Sequence, residues 1–246
     1  MAFDAIAAAY DILSNTQKRL EREGSFLRTL AGPGTRVLDL ACGTGVHARF
    51  LADLGAEVAA CDLSPAMIAR AARARPHPRI RYAVGDMRTP PSGPFDLVLC
   101  LGNSINLLPD AEAVQAMFRA VRQTLSENGR FLLHAINPAG QAHAEPSLVR
   151  RSGEAEGQEI VVSKAMIPQQ ERRFLILACF WRQASANATW QSSAETATLL
   201  DLPAETLQRL LADAGFRTIS VYGSMDGSPL LSEGSPDAVL VSGSSE

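Results

Sequence analysis

Four short segments place an acid or an amide beside a glycine, each directly after an apolar run. The first is Val37-Leu38-Asp39-Leu40-Ala41-Cys42-Gly43-Thr44-Gly45. A strand that runs into a Gly-x-Gly turn and on into a helix presents free backbone N–H groups to a ligand, and Gly43 and Gly45 allow that ligand close to the backbone. The second is Asp62, which ends the run AEVAACD; the third is Gly85-Asp86-Met87; the fourth is Cys100-Leu101-Gly102-Asn103-Ser104.

Taken alone, the glycine turn is ambiguous. Gly43 to Ala48 also fits the G-x-G-x-x-[G/A] dinucleotide pattern, which makes NAD or FAD a rival occupant. Asp39, four residues before Gly43, separates the two. Its carboxylate would repel a pyrophosphate, whereas S-adenosylmethionine presents an ammonium and a sulfonium that it can favour. Asp62 can accept the ribose hydroxyls of either cofactor, since Ser64 already supplies the N-cap of the next helix. Asp86 can accept from an adenine amino group while the Met87 backbone N–H meets a ring nitrogen. Gly102 lets the backbone approach the cofactor, and Asn103 or Ser104 can aim polar atoms at the reacting centre. Three acids at the carboxyl ends of neighbouring strands, around one crevice, are far more specific than any one of them.

The elements that must position these groups are legible. TRVLDLA (35–41), AEVAACD (56–62), IRYAVGD (80–86), FDLVLCLG (95–102) and RFLLHAI (130–136) are nearly continuous in apolar residues, as strands covered on both faces are. Helices lie between them. One opens on Ser64-Pro65; one follows Asp110, with Val114, Met117, Phe118, Val121 and Leu125 on one face up to Asn128-Gly129; VHARFLADLG stops at Gly55. This alternation predicts a parallel α/β sheet with right-handed crossovers. Residues 145–200 break the rhythm with a hairpin, EIVVSKAMI (159–167) and RRFLILACFWRQ (172–183), joined at PQQE. Both faces of the second strand are apolar, which predicts cover by the main domain or a partner subunit. A helix resumes at Pro203, and FRTISVYG (216–223) and DAVLVSG (237–243) close the chain. The simplest parse is one domain over residues 1–246 with an antiparallel insertion at 145–200.

At 246 residues and 46% apolar, the chain can bury a core without staples. A net charge of −3 gives no global positive field for polyanions, so nucleic acid is not expected as a partner. Cys42, Cys61, Cys100 and Cys179 share no CxxC spacing and are expected as buried thiols. The N-terminus lacks a basic leader region, and no apolar run approaches the roughly 20 residues that span a bilayer. A cytoplasmic protein away from membranes is the expectation, as a monomer or homodimer.

VLDLACGTG, CDLSPAMI, VGDM and FDLVLCLGNS, in that order, resemble the motif series of class I S-adenosylmethionine-dependent methyltransferases. ACGTGVHA with CLGNSINLLPD is especially similar to the glycine and sarcosine N-methyltransferases and their bacterial relatives; aminosugar N-methyltransferases share a similar arrangement. The resemblance is strong over about residues 10–136. It implies a Rossmann-like, mostly parallel seven-stranded sheet whose last strand is antiparallel, S-adenosyl-L-methionine as cofactor and S-adenosyl-L-homocysteine as product. It extends the cofactor contacts to Ala41, Leu63, Met67 and Leu101. It also implies an N-terminal helical lid over residues 1–30, with Tyr10 packed over the cofactor and Arg19 reaching its carboxylate, Lys18 competing for that role.

Methyl transfer from a sulfonium is an in-line displacement, which asks the protein to hold an electron-rich atom against the methyl carbon and to exclude water. A neutral amine needs no dedicated base; a hydroxyl profits from one. His134 is the base candidate, Asn103 a second polar group at the reacting centre, and Asn137 could orient an acceptor. His47 is expected to face solvent or the lid. No Asp-Lys-Asp-type metal constellation is present, so metal-free chemistry is expected. The β-rich insertion is the expected acceptor cap, where Arg150, Arg151, Arg172, Arg173 or Arg182 could take a carboxylate or phosphate and Trp181 or Trp190 could wall a pocket. The reading is methyl transfer to a small molecule, at nitrogen before oxygen. An NAD-dependent oxidoreductase and a non-catalytic nucleotide-binding module stand as rivals, with aminopropyl transfer a remote further one.

Overall fold

The computed structural model describes residues 6–140, 145–185 and 188–243; residues 1–5 of the expected lid and 186–187 of the expected insertion lie outside them. In chain order the elements are α1 (Tyr10–Ser14), α2 (Thr16–Leu30), β1 (Arg36–Leu40), α3 (Val46–Asp53), β2 (Glu57–Asp62), α4 (Pro65–Ala74), β3 (Ile80–Val84) and β4 (Phe95–Cys100). A single 3-10 turn (Ser104–Leu107) leads to α5 (Ala111–Thr124) and β5 (Leu125–Ile136). Then come β6 (Ser147–Ala155), β7 (Gln158–Gln169), β8 (Arg172–Gln183), β9 (Gln191–Leu200), α6 (Ala204–Asp213), β10 (Arg217–Tyr222) and β11 (Asp237–Gly243).

Seven strands form one sheet in the order β10-β11-β5-β4-β1-β2-β3. β1 to β5 run parallel, and the last strand, β11, inserts antiparallel between β5 and β10. Alternate residues serve opposite layers, as strand geometry requires. Leu38, Leu40, Val98 and Cys100 pack with α5 and α6, while Val37, Leu97 and Leu99 pack with Leu27 of α2 and Leu51 of α3.

Local signals place the helices. The Ser64 hydroxyl accepts from the Met67 N–H at 3.1 Å with Pro65 at the first helical position, and the Asp110 carboxylate accepts from the Ala113 N–H at 2.8 Å. α5 ends at Thr124, short of Asn128-Gly129, because Leu125 already pairs with Phe95 of β4. Sheet pairing outweighs the helical period there.

Gly45 is required by backbone conformation and packing together. It sits at φ +79°, and a β-carbon on it would meet the Tyr82 hydroxyl at 2.5 Å, a group that donates to the Arg75 carbonyl. Gly45→Ala therefore combines a left-handed backbone penalty with a clash, and is expected to cost about 2–4 kcal/mol, read as a lowered melting temperature.

The second sheet has the order β6-β7-β8-β9. The hairpin of β7 and β8 turns at Gln170 and Glu171, with Gln170 at φ +54°. Its flanking strands were not legible in the sequence, because β6 and β9 are rich in small and polar residues. Among the described residues, only one face of β8 is well covered. Leu175, Leu177 and Cys179 are buried against Ile6, Leu13 and Ile136, whereas Phe174 and Phe180 are exposed. The side-chain Nδ2 of Asn106 donates to the Leu200 carbonyl of β9, and its Oδ1 accepts from the Ile136 N–H of β5. One amide thus ties the 3-10 turn to both sheets. Among the described residues, no helix is long and apolar enough to cross a membrane.

Candidate active site

Past β1 the chain curls through three left-handed residues, Ala41 (φ 52°), Gly43 (φ 56°) and Gly45 (φ 79°), a geometry that gathers backbone N–H groups on one concave side. Asp62 pins this turn. Its Oδ2 accepts from the Gly43 N–H at 2.8 Å and its Oδ1 from the Ser64 N–H at 2.9 Å. The Tyr10 ring lies over the turn, 3.7 Å from where a Gly43 β-carbon would be. Asp11 holds that helix down, accepting from the Thr44 hydroxyl at 2.6 Å and pairing with Arg70 and Arg75.

A buried ion network stands behind the turn. Glu23, 1% exposed, accepts from Arg19 Nε at 3.1 Å and from His47 Nε2 at 2.7 Å. Burial pushes its carboxyl up, but the His47 hydrogen bond and the Arg19 charge prevail and hold it at about 2. Burial and the Arg19 guanidinium push His47 down, so a neutral imidazole donates its Nε2–H. Of the two orientations expected for His47, solvent or the lid, it takes the second, buried against α2 within residues 1–30. The far end of Arg19 lies against Gly102, its nitrogens 3.1 and 3.4 Å from a β-carbon placed there, and Gly102 sits at φ +72°, a conformation that favours glycine. Lys18 is exposed.

These groups open on a cavity of about 710 Å³ at the carboxyl ends of β1, β2, β4 and β5. Of the residues singled out in the sequence, Tyr10, Arg19, Ala41, Gly43, Asp62, Leu63 and Met67 line it. So do Asp86, Met87, Gly102, Asn103 and His134. Asp39 and Leu101 line a small polar recess of about 30 Å³ that shares Tyr10, Arg19 and Gly43 with the cavity. Gly45 lines neither. Asp86 is engaged by the Arg88 guanidinium, at 2.6 Å from Nη2, which holds its carboxyl below the usual range.

Several buried polar atoms here lack a hydrogen-bond partner among the described residues: Asp39 Oδ2, Asn103 Oδ1 and both ring nitrogens of His134. An unsatisfied buried group costs about 1–3 kcal/mol, and their convergence on one cavity and its recess is the mark of a ligand site. Burial drives the Asp39 carboxyl up to about 7, against the pull of Arg19 and with the push of Asp62. Asn103, at φ 66°, holds a strained conformation of the sort that persists at functional sites.

The wall opposite the glycine turn comes from β5, β11 and the second sheet. Leu175, Leu177, Ala197, Leu199 and Val149 make it largely apolar, with His134, Lys164, Asp237 and Arg151 as its charged or titratable groups. Asp237 Oδ1 lies 3.3 Å from His134 Nε2. Asn137 is not part of this wall; its amide donates to the Ser232 and Ser235 carbonyls. Arg173 is buried against Asp201, Arg172 donates to Pro109, Arg182 pairs with Glu159 and Arg150 is exposed, which leaves Arg151 as the insertion arginine on the cavity. Trp181 and Trp190 do not line it, and Trp190 stacks under Arg182. Glu23, Lys164 and Asp237 were missed in the sequence. Glu23 stands four residues after Arg19, a readable helical pair, and Lys164 is the charge in the apolar run VVSKAMI. Asp237 carries no local signal.

Residues 37–129, which hold the glycine turn and all three strand-end acids, match the family model described as Methyltransferase domain. This segment of the chain is thus similar to a methyltransferase domain. The chain is 37% identical over 126 residues to a demethylmenaquinone methyltransferase of Beutenbergia cavernae, covering 49% of this chain and 52% of that protein. It is 40% identical over 138 residues to a glycine/sarcosine N-methyltransferase of Parasynechococcus marenigrum, covering 52% and 48%. The chain thus spans about half the length of the curated relatives it matches. Its whole fold is similar to that of S-adenosylmethionine-bound CalS10, an amino pentose methyltransferase from Micromonospora echinaspora, with a TM-score of 0.68, 21% identity and coverage of 99% and 98%. S-adenosylmethionine is the cofactor of this class, and the residues present fit it. The orphaned Asp39 oxygen suits an ammonium, and the Gly43 and Gly102 positions leave room where side chains would intrude.

Proposed function

We propose that this chain transfers a methyl group from S-adenosylmethionine to a small-molecule acceptor, at nitrogen. The observation that carries this reading is the convergence of unpartnered Asp39, Asn103 and His134 atoms on one cavity and its recess. Asp39 would take the cofactor ammonium, Arg19 its carboxylate, Asp62 the ribose hydroxyls, and Asp86 with the Met87 backbone the adenine. Residues 1–30 act as a lid, with Tyr10 closing over the glycine turn, and residues 145–200 act as the acceptor cap over one domain spanning 1–246.

When bound, the cofactor supplies an electrophilic methyl carbon on a sulfonium. The chain's own work is to desolvate, align and manage one proton. The apolar walls exclude water. Asp237 Oδ1, 3.3 Å from Nε2, would stabilise the imidazolium that forms when His134 takes a proton, which converts an acceptor ammonium to the nucleophilic amine. The names of the glycine/sarcosine relative and the amino pentose enzyme support nitrogen; the apolar frame with a few convergent polar groups supports a small acceptor. The same imidazole supports a second reading, a hydroxyl acceptor with His134 as base.

A thermal shift with S-adenosylhomocysteine and NAD in parallel tests the first step. Ligand at about 100 times its dissociation constant adds roughly 2.7 kcal/mol, and a rise with S-adenosylhomocysteine alone is expected. Methyl transfer on parallel amine and hydroxyl panels then decides the acceptor atom; turnover confined to hydroxyls rejects the nitrogen reading.

A further inference from the structure

On the inward face of the second sheet Lys164 is out of place. Its cross-strand neighbours are Val149 on β6 and Leu177 on β8, and Val162 and Met166 flank it along β7. Lys164 lines the cavity, yet among the described residues no hydrogen bond or ion pair holds its ammonium. Asp237 acts on it through space, and burial pushes its amine down. An ammonium surrounded by apolar side chains is costly unless something pairs with it.

The other charges of the cavity are largely spoken for. Arg19 and Arg22 pair with Glu23, and Arg88 with Asp86. Arg151 has its Nε–H fixed on the Leu13 carbonyl at 3.0 Å, which sets its guanidinium on the same wall. On the acceptor side, two cations thus face one carboxylate, Asp237, which also serves His134. A bound sulfonium adds further positive charge. The side of the cavity that takes the acceptor is short of negative charge.

We propose that Lys164, with Arg151 beside it, binds an oxyanion carried by the acceptor, so that the substrate is an amine bearing a carboxylate or a phosphate on a largely apolar body. This rests on the methyl-transfer reading and deepens it. The amine end meets His134 and Asp237; the anionic end meets the cap. Specificity then comes from the cap, whose polar groups go unpaired when the anion is missing.

The test uses the full chain loaded with S-adenosylhomocysteine and a calorimetric panel of amino acids and amino phosphates. Each is matched with the amine that lacks the anion, for instance phenylalanine with 2-phenylethylamine and phosphoethanolamine with ethanolamine. The parent protein is expected to prefer at least one anionic member over its partner, and the carboxylate and phosphate arms say which anion it reads. Lys164→Met, which suits the apolar frame and should leave the melting temperature unchanged or higher, is expected to weaken that member roughly 10- to 100-fold. Binding of the anion-free amine should not change, and Lys164→Arg should restore part of the loss. No preference for any anionic amine, or equal losses for both members of a pair in Lys164→Met, overturns the proposal while leaving methyl transfer standing. Failure to bind S-adenosylhomocysteine at all overturns the reading beneath it.

Discussion

Asp39→Asn is expected to weaken S-adenosylhomocysteine binding roughly 100-fold, the scale seen when one partner of a buried charge pair is removed. The reason is the position of the carboxylate: 1% exposed, with Oδ2 unpartnered, so a ligand ammonium would add a partner beyond the Ala48 N–H and the Arg19 charge. The same substitution should act oppositely on the ligand-free protein. Asp39 has a folded-state pKa of about 7, above its unfolded value near 3.9. Between these values the folded chain holds a proton that the unfolded chain has released. Stability from this group is therefore lost as pH rises through that window and stays lost above it. At pH 8 the Asn variant should melt higher than the parent without ligand and respond far less to ligand. Parent affinity should rise from pH 6 to pH 8, and the variant's should stay flat. A variant that binds as the parent does would show that Asp39 serves only the turn.

His134→Ala is expected to lower kcat by about 100-fold or more, the range for a positioned acid–base group, with S-adenosylhomocysteine affinity unchanged. The imidazole sits on β5 across from Asp237, on the acceptor side of the cavity, so the loss should fall on turnover. With an amine acceptor, raising the pH should recover part of the rate, because solvent then deprotonates the ammonium. Asp237→Asn should give a smaller loss, since it removes the charge beside the imidazolium and keeps the ring. Equal damage to cofactor binding and turnover would place His134 in the scaffold.

The cofactor side was legible because its parts are local. A strand, a Gly-x-Gly turn and an acid at a fixed offset declare themselves within nine residues, and Asp62, Asp86 and Gly102 repeat the logic at successive strand ends. The parallel sheet followed from continuous apolar runs covered on both faces, and the turn of the β7–β8 hairpin from its short polar loop. β6 and β9 escaped because their residues are small and polar, and α5 was drawn too long because its helical period continues past the point where β4 captures Leu125.

The acceptor side belongs to the tertiary structure. Gly45 belongs to the cofactor motif by sequence and to the packing of Tyr82 in space. His47 was expected to face solvent or the lid, and tertiary packing decides between them: it is buried against Glu23 of α2, within residues 1–30. Asn137 is drawn away to brace residues 232–235. Most tellingly, Lys164, His134 and Asp237 come from strands separated by dozens of residues, and they meet because β11 inserts beside β5 and the second sheet folds over both. The sequence determined the chemistry of the nucleotide half, where spacing along one chain segment equals spacing in the site. Long-range strand pairing and burial alone decided which charges face the acceptor, since no local period records which distant strand will lie opposite.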